Sequence, residues 1–234
     1  MDNKKINEDL IKFWDTALTI SDEDKEEAFK YTDLDYKELA PSTKLLNAVS
    51  NFKDCENVLD YGCGTAWGAI VAIKSGAKRV DAVDLGENII ESAKFYAKLY
   101  NAEEGFNAFK VDENWLETVE SNKYDGIVCS NVLDVVTDDI SESIIKELSR
   151  ILKSGSKAVI GLNFYMSPEK AKERGMDLVD GNKLFVNDVL RLFSLSDEEW
   201  AKKFSKYFNV LSLDYFAWEG EPKETRRLFV LEKK

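Results

Sequence analysis

The chain has 234 residues, with 44 acids against 32 bases for a net charge of -12, and it contains no histidine. That length buries a full core in one domain, and the acidic balance disfavours a phosphate backbone as partner. The missing imidazole excludes Ser-His-Asp and Cys-His catalysis and any metal site built on histidine.

Three cysteines, Cys55, Cys63 and Cys129, form no CxxC pair, so neither a zinc site nor a disulfide framework is expected. The opening MDNKKINEDLIKFWD is charged throughout, unlike a signal peptide. No stretch approaches the roughly 20 apolar residues of a membrane span. The expectation is a soluble cytoplasmic protein, monomer or homodimer, with no membrane partner, no DNA partner and no metal.

Ile6, Leu10, Phe13, Trp14 and Ala17 recur at helical spacing, predicting an amphipathic first helix. Ser21 followed by Asp24 resembles a capping box for a second, DEDKEEAFKY. Pro41 sits near the expected first turn of a third, TKLLNAVSNF. From residue 57 the pattern changes to alternation. NVLDY reads as a short buried strand, AWGAIVAIKSG as a helix ended by Gly76, and RVDAVD as a second strand. ENIIESAKFYAKLYN has Ile89, Ile90, Ala93, Ala97 and Tyr100 on one helical face. FNAFKV, a short helix ENWLETVE, the strand YDGIVCS, a helix DDISESIIKELSRILKSG over 138–155 and the strand KAVIGLNF complete the run. Strands alternating with helices of this length imply a parallel sheet covered on both faces.

After residue 163 the rhythm breaks. Ser167-Pro168-Glu169 caps and starts a helix, DLVDGNKLFVNDVLRLF has no clear assignment, and DEEWAKKFSKYF is helical again. NVLSLDYFAW and TRRLFVLE, joined by EGEPKE, read as an antiparallel strand pair.

The stretch VLDYGCGTAWGAI at 58–70 places a glycine turn and a helix N-terminus at the carboxyl end of the first strand, where open α/β sheets bind ligands. A dinucleotide fingerprint asks for a third glycine where this chain has Trp67, with Gly68 one residue late, which argues against a pyrophosphate. The turn instead resembles motif I of the class I, Rossmann-like S-adenosylmethionine-dependent methyltransferases, D/E-x-G-x-G-x-G. Asp60, Gly62 and Gly64 match it, and Ala66 stands at the third glycine. The resemblance runs over about residues 55 to 163: Asp84 ends the second strand 20 residues after Gly64, KVDENW follows the third, YDGIVCSNVLDVV resembles the fourth motif, and LSRILKSGSKAVIG the segment before strand five.

Several expectations come from that resemblance. The fold is a doubly wound, seven-stranded, mostly parallel sheet, with the last strand antiparallel and inserted beside the fifth. The cofactor is S-adenosyl-L-methionine, leaving as S-adenosyl-L-homocysteine. Its site would draw on Asp60, Tyr61, Gly62, Cys63 and Gly64 in the turn and on Asp84 and Leu85 after the second strand, with Asp84 accepting both ribose hydroxyls. Asp112 and Glu113 would flank the adenine, and Ser130 would close the fourth strand's end.

Methyl transfer from a sulfonium needs alignment and exclusion of water, and a base only if the acceptor must lose a proton. Asp134 in NVLD is the candidate base, with a helix cap or supporting role as its competing reading. The expected arrangement is a single domain: a helical cover over 1–50, a cofactor core over 51–163, a substrate-cover insertion over 164–206 and a closing strand pair over 207–234. The segment after 163 is rich in aromatics: Phe164, Tyr165, Phe185, Trp200, Tyr215, Phe216 and Trp218. They would serve an acceptor pocket or, more often, the core. The N/D-P-P-Y/F motif of exocyclic-amine enzymes and the Pro-Cys of base-C5 enzymes are both missing after strand four. A small-molecule acceptor is therefore expected. An RNA or protein methyltransferase, or a non-catalytic cofactor-binding module, are the alternatives.

Overall fold

The computed structural model describes residues 3–31 and 33–234. Met1, Asp2 and Thr32, which fall within the expected 1–50 cover, lie outside the described residues. Helices α1 (Asn3–Ala17) and α2 (Asp22–Ala28), a 3-10 turn (Tyr36–Leu39) and α3 (Thr43–Ser50) precede the sheet. The Ser21 hydroxyl caps α2, accepting from the Asp24 N–H at 3.1 Å and donating to its carboxylate at 2.6 Å. Ser42 caps α3, accepting from the Leu45 N–H, and Pro41 stands immediately before that cap.

Alternation then follows as expected: β1 (Val58–Tyr61), α4 (Trp67–Ser75), β2 (Val80–Asp84), α5 (Glu87–Leu99), β3 (Phe106–Lys110), α6 (Trp115–Thr118), β4 (Tyr124–Ser130), α7 (Asp138–Ile151) and β5 (Leu152–Leu162). The remainder is α8 (Pro168–Glu173), β6 (Lys183–Val186), β7 (Val189–Phe193), α9 (Asp197–Phe204), β8 (Phe208–Phe216) and β9 (Arg226–Lys233). The large sheet has seven strands in the order β3-β2-β1-β4-β5-β9-β8. β1 to β5 run parallel, and β9 lies antiparallel between β5 and β8.

Adjacent side chains of a strand point to opposite faces, and the core divides accordingly. Val58 joins Leu45, Val49, Ala69, Val71 and Ile90 beneath α3, α4 and α5. Leu59 joins Leu116, Ile144, Leu148, Trp200 and Phe204 beneath α6, α7 and α9. The aromatics expected for a pocket or, more often, for the core are sorted by this division. Trp200 and Phe216 are fully buried in these two cores, whereas Tyr165, Tyr215 and Trp218 are exposed.

One local expectation fails, and one segment left without an assignment takes a definite form. The helix expected over 138–155 stops at Ile151, and Leu152 is already extended and paired with Tyr124. The Lys233 ammonium takes the carbonyls of Arg150 and Leu152 at 3.3 and 2.6 Å, satisfying acceptors that another helical turn would have used. Gly155, at φ +74°, lies in a break of register before Lys157 resumes pairing with Gly126. The unassigned segment around 183–193 is the hairpin β6–β7, whose two loop residues Asn187 and Asp188 both have positive φ, +51° and +62°. That is the backbone a right-twisted two-residue hairpin requires.

Candidate functional site

The site is assembled at the carboxyl ends of β1, β2, β3 and β4. After β1 the chain turns through Gly62 and Gly64, at φ +67° and +53°. A Cβ on Gly62 would lie 2.3 Å from Val132 Cγ2 in the loop after β4, so the glycine is what lets those two loops touch. Ala66, at the position of the third glycine, also has left-handed backbone, φ +59°. A side chain in that conformation costs about 1–2 kcal/mol, the physical reason glycine is usual there. Close helix-to-strand packing falls instead to Gly68, where a Cβ would lie 2.9 Å from Val128 and 3.1 Å from the Asp60 carboxylate.

Ala66 has no side chain with which to cap α4. Asp60 supplies the missing acceptor from β1, taking the Ala69 N–H at 2.8 Å. Burial pushes its carboxyl up to about 7, against the lowering effect of that N–H and with a further rise from Asp84. Asp84 ties the turn to β2: one oxygen accepts from the Gly64 N–H at 3.2 Å, and the other from Leu85 and Gly86 at 2.7 and 3.3 Å. Burial also raises its pKa, partly offset by those three N–H groups.

Val111 donates to the Asp84 carbonyl, which sets Asp112 and Glu113, both exposed, beside the second strand's end. The Asp112 carboxylate accepts from the Asn114 N–H at 2.9 Å. Cys63 is buried beneath the turn with its thiol pushed well up by burial. Tyr61, whose hydroxyl is likewise pushed up by burial, packs on the core beneath α7. Ser130 ends β4 and sits against Gly161, where a Cβ would come within 2.5 Å of its hydroxyl.

Asp134 is fully buried. Its carboxylate accepts from both the backbone and side-chain N–H groups of Asn163, just after β5. Burial raises its pKa to about 6, with the Asn163 N–H and the Arg227 charge pulling the other way. The Asp134 carbonyl accepts from the Phe193 N–H at 2.7 Å, fastening β7 to the loop after β4.

Four residues that sequence reading did not select belong to this neighbourhood. Asn131, at φ +57°, has a buried side-chain oxygen with no partner among the described residues. Left-handed asparagine directly after a strand is a readable signal. Leu18, just past α1, lies 3.6 Å from the position of a Cβ on Gly64. Asp15 accepts from the backbone N–H groups of Asn88 and Ile89 at 2.8 and 3.2 Å, capping α5 from a distant helix. Arg191 of β7 stands over the rings of Phe13 and Trp14. The last three contacts span long sequence separations that no local pattern encodes. An open cleft of about 600 Å³ lined by Arg79, Asp81, Lys123 and Tyr124 lies at the opposite, amino ends of the strands.

A sheet of this order, with a glycine turn after its first strand and an acid ending its second, defines a cofactor-binding α/β domain of the methyltransferase kind. Residues 58–155 match the family model described as a methyltransferase domain, which together with the fold supports a class I S-adenosylmethionine-dependent methyltransferase. Among relatives, it is 31% identical over 151 residues to a ribosomal protein L11 methyltransferase of Ruminiclostridium cellulolyticum, covering 63% of this chain and 42% of the relative. A protein of the same name from Cupriavidus pinatubonensis is 40% identical over 83 residues, 36% of this chain and 25% of the relative. The chain therefore spans less than half of these relatives' length. Among solved structures, a 1,6-didemethyltoxoflavin-N1-methyltransferase of Burkholderia thailandensis, bound to 1,6-didemethyltoxoflavin and S-adenosylhomocysteine, superposes with a TM-score of 0.64. It is 14% identical, and the match covers 84% of this chain and 80% of that one. A protein of Pyrococcus horikoshii OT3 also gives 0.64 at 17% identity, covering 81% and 88%. Both share the fold.

Proposed function

We propose that this protein binds S-adenosyl-L-methionine at the glycine turn and transfers its methyl group to a small-molecule acceptor held beneath α1 and the segment 164–206. The observation that carries the small-molecule reading is the roof over the turn. Leu18 bears on Gly64, Asp15 caps α5, and the Ser92 hydroxyl donates to the Leu18 carbonyl at 2.7 Å. A roof fixed at those points favours an acceptor small enough to be enclosed.

The residues present fit the cofactor. Gly62 and Gly64 leave a cradle without side chains, and the Asp84 carboxylate faces the turn. An ionised carboxylate has about four acceptor positions, and three are already taken by backbone N–H groups. Asp84 is accordingly assigned one ribose hydroxyl rather than two. Asp112 and Glu113 line the adenine side. The buried, unpartnered oxygen of Asn131 is available to a donor on the cofactor or acceptor. When bound, the sulfonium supplies an activated methyl group and a neutral thioether leaving group. The chain's own part is to hold the turn rigid through Asp60 and Asp84, align the acceptor, and keep water out beneath the roof. Asp134, with its carboxylate engaged by Asn163, is assigned to positioning the loop after β4 rather than to proton abstraction.

A second reading, methylation of a protein, is favoured by the names of the relatives. Methyl-labelled cofactor, incubated with the enzyme and with cell extract split into metabolite, RNA and protein fractions, separates the two. Label in metabolites is expected. Label confined to protein, ribosomal protein included, would replace the small-molecule reading with the second.

A further inference from the structure

Arg191 is a half-buried arginine without an acid. Its guanidinium carbon lies 4.3 Å from the ring centre of Phe13 and 5.0 Å from that of Trp14. No hydrogen bond or ion pair reaches it among the described residues. The other arginines withdrawn from solvent are all matched with a carboxylate: Arg150 with Glu147, Arg226 with Glu221 and Arg227 with Asp197. Arg79 and Arg174 also lack an acid, but both are exposed and need none. In a chain with 44 acids, a half-buried guanidinium with no carboxylate beside it is the exception.

Its position gives the exception meaning. The rings it meets are on α1, whose end bears on Gly64 and on α5. Two residues along β7, the Phe193 N–H is bonded to the Asp134 carbonyl in the loop after β4. Arg191 therefore stands at the seam between the two pieces of the roof, each anchored to a loop of the site. Aromatic contact orients a guanidinium while leaving its N–H edge for another partner, and that edge matches the two oxygens of a carboxylate.

We propose that Arg191 is a specificity-determining residue of the acceptor pocket, binding a carboxylate that the acceptor keeps through the reaction. The substrate class is then a small organic acid methylated at an atom other than that carboxylate. This inference rests on the small-molecule reading above.

The test uses the full chain with methyl-labelled cofactor and the metabolite fraction of cell extract, alongside S-adenosylhomocysteine titrations of wild type, Arg191→Gln and Arg191→Lys. Labelled product retained by anion-exchange resin is expected. So is a tenfold or greater rise in acceptor KM for Arg191→Gln, part of which Arg191→Lys restores, with homocysteine-product affinity unchanged within twofold in both variants. A labelled metabolite that passes through the resin, or an Arg191→Gln enzyme that folds and has wild-type KM, would overturn the assignment while leaving the small-molecule reading intact. Should Arg191→Gln not fold, the Arg191→Lys KM and the resin decide alone. Label found only in protein would remove the reading beneath it.

Discussion

Gly62 is the residue where the turn tolerates least. Its left-handed backbone costs any side chain about 1–2 kcal/mol. A Cβ only 2.3 Å from Val132 adds overpacking worth about 1–3 kcal/mol. Gly62→Ala should therefore lose about 2–5 kcal/mol of stability, read from the urea midpoint at constant slope; a loss under 1 kcal/mol would mean the loop after β4 moves aside freely. Asp84 makes a different demand, because it holds the Gly64 N–H and, on the proposed reading, a ribose hydroxyl. A hydrogen bond to a charged group is worth about 1.5–3 kcal/mol, so Asp84→Ala should weaken S-adenosylhomocysteine about ten- to hundredfold by calorimetry. Unchanged affinity would remove Asp84 from the cofactor site. Gly62 was legible in the D-x-G-x-G spacing, which encodes a turn of almost wholly local geometry, and Asp84 in its place at the end of the second strand, 20 residues after Gly64. Asp15 and Arg191 were not, because each acts on residues far along the chain and neither belongs to a periodic pattern that would mark it.

At the scale of elements, legibility followed the same division. The βα alternation of 57–151 was plain from its periodicity, since each strand and helix carries its own buried face. The end of α7 was misread because Ile151 and Leu152 continue the helical spacing, and Lys153 with Gly155 looks like a helix terminus. What stops the helix is pairing of Leu152 with Tyr124 and a lysine from β9, both supplied by distant chain. The β6–β7 hairpin was missed because its turn is Asn187-Asp188, without the glycine that usually announces such a loop. That suggests a direct check: Asp188, at φ +62°, should be better served by glycine. Asp188→Gly is predicted to stabilise the protein by a few tenths to about 1 kcal/mol, the left-handed penalty relieved less the added freedom of the unfolded chain. A lower urea midpoint would show the Asp188 side chain contributing something the backbone does not reveal. The roof itself, α1 with the hairpin, should gain hydrogen-exchange protection when S-adenosylhomocysteine binds, because closing it is how water leaves the site. Equal protection with and without ligand would make it a fixed wall.

For the whole molecule, the buried acids of the site set how stability varies with pH. Burial pushes the Asp60 carboxyl up to about 7 and that of Asp134 up to about 6 in the folded chain, both from an ordinary value of about 3.8, and raises Asp84 as well. Between about pH 4 and 7 the folded state thus keeps protons that the unfolded chain has already released. Stability then falls as pH rises, by at most about 1.4 kcal/mol per pH unit for each proton held. Carboxylates lowered by partners, such as Asp81 and Glu142 beside lysines, work in the opposite sense but chiefly below pH 4, where the unfolded chain's acids take up protons. The growing negative charge of a chain that reaches -12 at pH 7 adds repulsion in the same direction as Asp60. The urea midpoint should accordingly be higher at pH 5.5 than at pH 7.5. Asp60→Asn, which keeps an oxygen for the Ala69 N–H but cannot ionise, should flatten that difference. A wild-type protein more stable at pH 7.5, or an Asn variant with the full wild-type slope, would mean that Asp60 is ionised in the folded state at both pH values and that the α4 N-terminus stabilises its charge more than burial opposes it.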